Sequence, residues 1–357
     1  MIASSPALSV VVPVYNSGKF LRLCLDSLIA QDCSDIEFIC VDDGSTDGSG
    51  DVLDDWAAGY DHVRVIHQPN GGYGKAMNVG LSLARGAYIG IVEPDDWIEP
   101  HMYSTLLKIA QETGADAVKG DYFGESHQKS RVSGKYKKYK GGEVLTPLEF
   151  PEYLLGSVSV WSGIYRRALL EENGIRFNET PGASFQDLGF AVRVWAKART
   201  LSVTPKPLYH YREDNPNSST RRREDGAWAV LREIEKLQDV FEAIPLEDRL
   251  SRTYLIRRVF HSFQADFKLR VSDTLSEFLL RYSELLKKLC PRRLLLQECF
   301  DRREWHDLRV LYACPKLYPL TRRSGASILQ RIFSVRVEGG RRYVRILGTR
   351  FALPGRS

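Results

Sequence analysis

The run Glu93-Pro94-Asp95-Asp96 sets three carboxylates within four residues, directly after the apolar stretch AYIGIV. In a partly desolvated cleft these groups repel one another, and a divalent cation that bridges them to phosphate oxygens is the usual compensation. Mg²⁺ or Mn²⁺ suits such hard oxygen ligands, commonly one or two protein carboxylates beside a diphosphate. The plainer alternative is an acidic turn ahead of a helix.

Three further segments carry chemistry-bearing residues. VVVPVYN ends in Pro13, Tyr15 and Asn16; a flat aromatic at a strand tip can stack on a base or simply cap the core. VDDGSTDGS joins Asp42 and Asp43, whose mutual repulsion helix capping does not explain. Asp43 is therefore a candidate to accept from a base N–H or a ribose hydroxyl, whereas Ser45 or Asp47 reads as a helix cap. NGGYGKAMN puts three glycines and Lys75 at a helix start, where backbone N–H groups could meet an anion. It is neither GxGxxG nor a P-loop, since GxxxxGK[ST] is absent.

These segments need a scaffold that gathers them. The first 120 residues alternate β-branched runs (LSVVVPVY, IEFICVDDG, VRVIHQ, AYIGIVEPDD, DAVKGDYF) with helical-period stretches at 19–31, 50–59, 76–84 and 102–113. That alternation predicts a parallel sheet covered by helices, with ligands beyond the carboxyl ends of the strands. Residues 124–147, rich in Lys, Gly, Ser and Tyr, read as a mobile loop or insertion. Helices are expected near 148, at 167–173 and after Phe185, and the chain is mostly helical by period from Glu224 to about Arg309. FSVRVEGGRRYVRILGTRF predicts a β-hairpin around Gly339 and Gly340.

Composition bounds the remainder. The 357 residues are 43% hydrophobic and 27% charged, a globular composition with enough length for a sizeable core and two parts. No run approaches the ~18 apolar residues of a membrane span. The N-terminus lacks a basic start and a cleavage site, so the expectation is a soluble or peripheral protein in the cytoplasm. Cys24, Cys33, Cys40, Cys290, Cys299 and Cys314 show no metal or disulfide spacing and read as reduced thiols. Residues 216–357 hold 29 Lys and Arg against 17 Asp and Glu, leaving residues 1–215 acidic. The pairs Arg292/Arg293, Arg302/Arg303, Arg322/Arg323 and Arg341/Arg342 alternate with apolar stretches. Such a pattern suits an anionic membrane surface at the inner face of the plasma membrane; its plainer reading is a solvated helical surface.

VVVPVYN, VDDGSTDGS, NGGYGKAMN and EPDD, in that order and spacing, resemble the inverting family 2 glycosyltransferases of the GT-A fold. The resemblance covers about residues 8 to 215. It implies an α/β fold with a Rossmann-like mixed sheet flanked by helices, a catalytic domain at 1–220, and a basic, mostly helical region at 221–357 with a terminal β-hairpin. It implies that Pro13, Tyr15 and Asp43 hold the nucleoside of a UDP-sugar donor, that Lys75 lies near the nucleotide, and that Asp95 and Asp96 supply the ribose contact and the metal ligand. Glu93 stands where many members carry the first Asp of a DxD motif. SFQDLGF falls where the family shows Glu-Asp before a helix; with Gln186 in place of Glu, Asp187 is the carboxylate left to act as general base. By itself Asp187 would read as a helix cap. YHYREDNPNSS resembles the family's closing segment, in which His210 would be a metal ligand and Arg212 a phosphate clamp; a His between two tyrosines also reads as a packed surface residue.

The resemblance thus implies metal-dependent transfer of a hexose, with Mn²⁺ or Mg²⁺, to a glycan or lipid-linked hydroxyl with inversion. The whole-chain style is similar to bacterial enzymes of lipopolysaccharide, capsule or exopolysaccharide synthesis. A nucleotidyltransferase or nicotinamide enzyme on the same scaffold fits less well, because the glycine-rich loop each requires after the first strand is absent. A non-catalytic membrane- or nucleic-acid-binding module would leave Glu93–Asp96 unexplained, and no nucleic-acid partner is expected.

Overall fold

A computed structural model describes residues 5–127, 129–155, 158–216, 218, 226–267 and 275–319, and the backbone of three strands beyond them. The chain divides into two compact units, residues 1–268 and 269–357.

In the first unit the elements run β1 (Leu8–Val14), α1 (Leu21–Ile29), β2 (Ile36–Asp42), α2 (Ser49–Ala57), β3 (Val63–His67), α3 (Tyr73–Leu83), β4 (Tyr88–Ile91), β5 (Trp97–Ile98), α4 (Met102–Thr113), β6 (Ala117–Ser126), β7 (Lys129–Val132), α5 (Pro151–Leu155), β8 (Gly163–Arg166), α6 (Arg167–Glu172), α7 (Gln186–Lys197), β9 (Leu201–Arg212), α8 (Gly226–Glu235), α9 (Gln238–Ala243) and α10 (Arg249–Phe267). The sheet order is β3-β2-β1-β4-β8-β6-β9-β5, with β7 paired to β6. β1 to β4 are mutually parallel, β8 runs antiparallel between β4 and β6, and β9 returns parallel to β6. This is the mixed sheet that the resemblance implied. β1 and β2 are buried at every position, as strands covered on both faces must be. α1 buries Leu21, Cys24, Leu25 and Leu28, one stripe at helical spacing.

Three differences from the sequence-based expectation have physical causes. β9 was hidden because Pro205 and Pro207 interrupt it; the pairing with β6 shifts register between Gly120 and Tyr122, so the strand continues past them. The segment at 124–147 is not a plain loop, since β6 extends to Ser126, turns into β7, and is followed by Tyr136, fully buried against Phe150. α8 and α10, which the division at residue 220 counts with the C-terminal region, lie in the first unit, where α10 packs on α5 and α8, and α8 on α7.

In the second unit α11 (Leu275–Leu289) packs on α12 (Arg302–Ala313), which opens with a capping box of Asp301 and Glu304. β10 (Phe333–Glu338), β11 (Arg341–Ile346) and β12 (Thr349–Ala352) form an antiparallel sheet, so the expected hairpin gains a third strand. Its turn at Gly339 and Gly340, and the pair Arg322/Arg323, lie outside the described residues. Arg292, Arg293, Arg302 and Arg303 are all exposed. No helix among the described residues is long and apolar enough to cross a membrane. No disulfide forms among the described residues, and Cys24, Cys40 and Cys290 are buried.

Candidate active site

The carboxylates at the end of β4 differ in surroundings. Glu93 is half-buried and accepts from the Tyr73 hydroxyl at 2.7 Å. Burial, reinforced by Asp95 and Asp187, pushes its acid up to about 8 despite that hydrogen bond. Asp95 accepts from Asn215 Nδ2 at 2.7 Å through Oδ2, while Oδ1 makes no hydrogen bond among the described residues. Asp96 is only 1% exposed and uses both oxygens internally, accepting from Tyr209 Oη at 2.7 Å and from the backbone N–H of Arg212 at 2.7 Å. Burial, then the charge of Asp95, holds its acid well above the ordinary carboxylate range. The metal-ligand role expected of Asp96 therefore does not fit: it braces β9 against the end of β4.

The same is true of His210. Its ring lies between Trp97 at 4.9 Å and Phe123 at 4.6 Å, near parallel to both, and its nitrogens meet Glu125 at 2.8 Å and Glu99 at 2.9 Å. With each nitrogen facing a carboxylate at hydrogen-bond distance and the ring enclosed between two aromatics, neither nitrogen points to an open position for a metal ion, against the expected ligand role. Among the described residues no three His, Cys, Asp or Glu side chains are arranged to hold a metal ion by themselves. A cation held mainly by a diphosphate and water needs only one or two protein carboxylates, and Asp95, with its open Oδ1, fits that requirement.

Arg212 lies over the rings of Phe20 at 4.5 Å and Trp97 at 4.8 Å and donates from Nε to the Asp95 carbonyl at 2.8 Å. A guanidinium fixed in this way, with N–H groups to spare, is suited to an anionic leaving group beside Asp95.

Tyr15, at the tip of β1, is 50% exposed, and the backbone after it is held at Asn16 in a left-handed conformation (φ 49°) by Ser45 and Thr46. Pro13 is buried in β1 beyond Val11, where pairing with β4 ends, so its missing N–H disrupts nothing on that side. Asp43 is 3% exposed and accepts from Gln68 Nε2 and from the N–H groups of Gly71 and Gly72, at 2.7, 2.9 and 2.8 Å. The glycine loop thus binds an internal anion, Asp43. The next N–H, of Tyr73, donates to the Gly182 carbonyl at 3.1 Å. The expected anion site at this helix start is occupied by the protein itself. Its glycines serve close approach instead: a Cβ on Gly74 would collide with the Asn178 carbonyl oxygen. Lys75 is exposed on the first turn of α3.

That approach brings residues 177–187 to the site. Phe185, in a left-handed conformation (φ 65°), precedes α7, a strained turn that sets Gln186 and Asp187 at its first positions. Asp187 Oδ1 accepts from the Leu188 N–H at 2.9 Å, and Oδ2 makes no hydrogen bond among the described residues. Burial raises its acid above the ordinary range, against the pull of Leu188 and of Arg258 on α10. Burial in turn pushes the Arg258 guanidinium down to about 10. The charges of Glu93 and Asp187 are coupled, so the site brings the end of β4 and the start of α7 to one place. The segment before Asp187 is held from two sides. Asn78 on α3 binds the Phe177 backbone and Glu179, and Glu233 on α8 accepts from Asn178 and Thr180.

The structure therefore sets Asp95 and Arg212 together at the end of β4, places Asp187 where its charge acts on Glu93, and leaves His210 and Asp96 as braces. The sequence did not reveal Tyr73, Tyr209, Asn215, Glu233 or Arg258. Tyr73 stood inside the glycine motif, while Glu233 and Arg258 sit in helices whose pattern reports only a buried face.

Residues 9–172 match the model of Glycosyl transferase family 2. The chain is 36% identical over 221 residues to the uncharacterized glycosyltransferase EpsJ of Bacillus subtilis, spanning 60% of this chain and 63% of EpsJ. It is 33% identical over 233 residues to the uncharacterized glycosyltransferase YibD of Escherichia coli, spanning 63% of this chain and 66% of YibD. The match thus spans less than two thirds of the length of either relative. Among solved structures, S. aureus TarS 1-349 aligns over 98% of this chain and 99% of its own with a TM-score of 0.72 at 22% identity, a likeness of fold. The strand-end carboxylates and the glycine loop at α3 thus lie within residues 9–172, the stretch of this chain that matches Glycosyl transferase family 2.

Proposed function

We propose that this chain transfers a hexose from a UDP-sugar to a hydroxyl of a glycan or lipid-linked acceptor, with inversion at the anomeric carbon. The observation that carries this reading is the Asp187 carboxylate, half-buried at the start of α7, with one oxygen fixed by Leu188 and the other open, coupled in charge to Glu93. A carboxylate of raised basicity is suited to take the acceptor proton as the oxygen attacks the anomeric carbon and the bond to the diphosphate breaks. Arg212 meets the negative charge that develops on the departing nucleoside diphosphate. Tyr15, next to Pro13, offers its exposed face to the base, and Asp43 keeps the adjoining loop in shape with lone-pair capacity left for a nucleoside N–H. Lys75 adds positive charge near the nucleotide.

Support for the donor class comes from TarS 1-349, which shares this fold and was solved in complex with UDP-GlcNAc. A divalent cation, Mn²⁺ or Mg²⁺, would be held by Asp95 with the diphosphate and would neutralise leaving-group charge. The acceptor class and a role in bacterial cell-surface polysaccharide synthesis accord with the family. The exposed Arg292, Arg293, Arg302 and Arg303 suit a cytoplasmic enzyme that meets an anionic membrane surface. Incubation with UDP-glucose, UDP-galactose and UDP-N-acetylglucosamine, with and without Mn²⁺, should release UDP in a metal-dependent manner. Consumption of added inorganic diphosphate to give UTP and a sugar 1-phosphate would instead favour a nucleotidyltransferase, and no release of UDP with any donor would overturn the reading.

A further inference from the structure

We propose that Glu233 is a positioning residue for Asp187, acting through Thr180 and Gln186; the inference rests on Asp187 being the general base. Glu233, 1% exposed on α8, accepts from Thr180 Oγ1 at 2.9 Å, and the same hydroxyl oxygen accepts from Gln186 Nε2 at 2.9 Å. Gln186 is the residue immediately before the base and is itself 2% exposed.

The direction of these bonds is fixed by chemistry. A hydroxyl has one hydrogen to give, and Glu233, which also accepts from Asn178 Nδ2 at 2.5 Å, receives it. Thr180 Oγ1 must then accept from position 186. The other partners of Gln186 Nε2 are the carbonyls of Gly182 at 3.2 Å and Thr180 at 3.4 Å, acceptors too. Its Oε1 accepts the Ser184 N–H at 2.6 Å. An amide meets all these demands, whereas an ionised glutamate would turn acceptor against acceptor three times. Gln186 therefore matches the buried carboxylate that α8 supplies from beyond the family-matched residues.

The network ties residues 178–186 to α8 in addition to the contacts of α3, and so fixes where the left-handed turn at Phe185 delivers Asp187. A base must stand within hydrogen-bond reach of the acceptor hydroxyl, and a misplacement of about 1 Å costs about 10²-fold. The donor's nucleoside lies at other elements, so turnover should suffer before donor affinity.

The test is steady-state UDP release from the UDP-sugar that the wild type turns over fastest, with Mn²⁺. Thr180→Val should lower kcat about tenfold or more with the donor KM roughly unchanged, while Thr180→Ser, which keeps the hydroxyl, should retain wild-type kcat. Gln186→Glu should be as impaired as Thr180→Val. Adding Glu233→Gln to it reverses the bonds: the amide now on α8 donates to the Thr180 hydroxyl, which donates in turn to the carboxylate now preceding Asp187. That double variant should recover part of the lost kcat. Wild-type kcat in Thr180→Val, or a double variant no better than Gln186→Glu, would overturn the proposal. UDP titration reports folding, and if Thr180→Val does not fold the swap decides. Asp187→Asn run alongside separates the two readings: an active Asp187→Asn removes the base, while an inactive one with an active Thr180→Val removes only the network.

Discussion

Tyr209 donates its phenolic hydrogen to Asp96 at 2.7 Å and accepts the Glu93 N–H at 3.1 Å, so the second aspartate of the strand-end cluster braces β9 against the end of β4. Asp95, its neighbour, keeps an oxygen open.

The two aspartates should therefore separate on substitution. Asp95→Ala is expected to stay folded and lose metal-dependent UDP binding. Asp96→Ala leaves two buried donors without an acceptor, each at a cost of about 1–3 kcal/mol, and should lower Tm. Calorimetric titration with UDP and Mn²⁺, beside thermal unfolding, reads both; equal effects of the two variants on UDP binding with equal Tm would contradict the division.

His210 should prove indifferent to metal. His210→Phe keeps the stack between Trp97 and Phe123 and removes both ring nitrogens, so the Mn²⁺ concentration for half-maximal activity should stay at the wild-type value. A large rise would return His210 to the metal.

Gly74→Ala tests the close approach of α3 to the base-bearing segment. A Cβ driven into the Asn178 carbonyl forces backbone apart, and transfer should fall about tenfold or more. Wild-type rates would show that the segment tolerates displacement.

How much of this was legible in the sequence follows from the range of each signal. Strand tips and their acidic ends were readable because β-branched runs broken by Gly, Asp and Pro are local, whereas Asp187 was singled out by the family resemblance alone, since its place before a helix reads as a cap. The individual roles were not readable. Asp95 and Asp96 are chemically identical neighbours, told apart by Tyr209, Arg212 and Asn215, more than a hundred residues away. The glycines of NGGYG looked like an anion cradle, which they are, but Asp43 fills it. β9 was lost to its two prolines, and with it the reason that His210 sits inside an aromatic stack.

The pH dependence follows from the raised acid of Asp187. The base must be ionised to take a proton, so kcat/KM should fall as pH drops through a pKa above the carboxylate's ordinary ~3.9. For stability the sign is opposite to that of an ion-paired aspartate: the folded chain holds this proton more tightly than the unfolded one. The contribution is present at low pH and lost as pH rises through the raised pKa. An acid limb at or below the ordinary carboxylate range would contradict the burial argument.

The most direct test of the central claim is Asp187→Asn, measured for both UDP binding and transfer. The amide keeps the shape and the bond to Leu188 but cannot take the acceptor proton. UDP affinity should equal that of the wild type, while transfer should fall ~10²- to 10⁴-fold. A loss of less than about tenfold, with UDP affinity intact, would place the base elsewhere and contradict the assignment of Asp187.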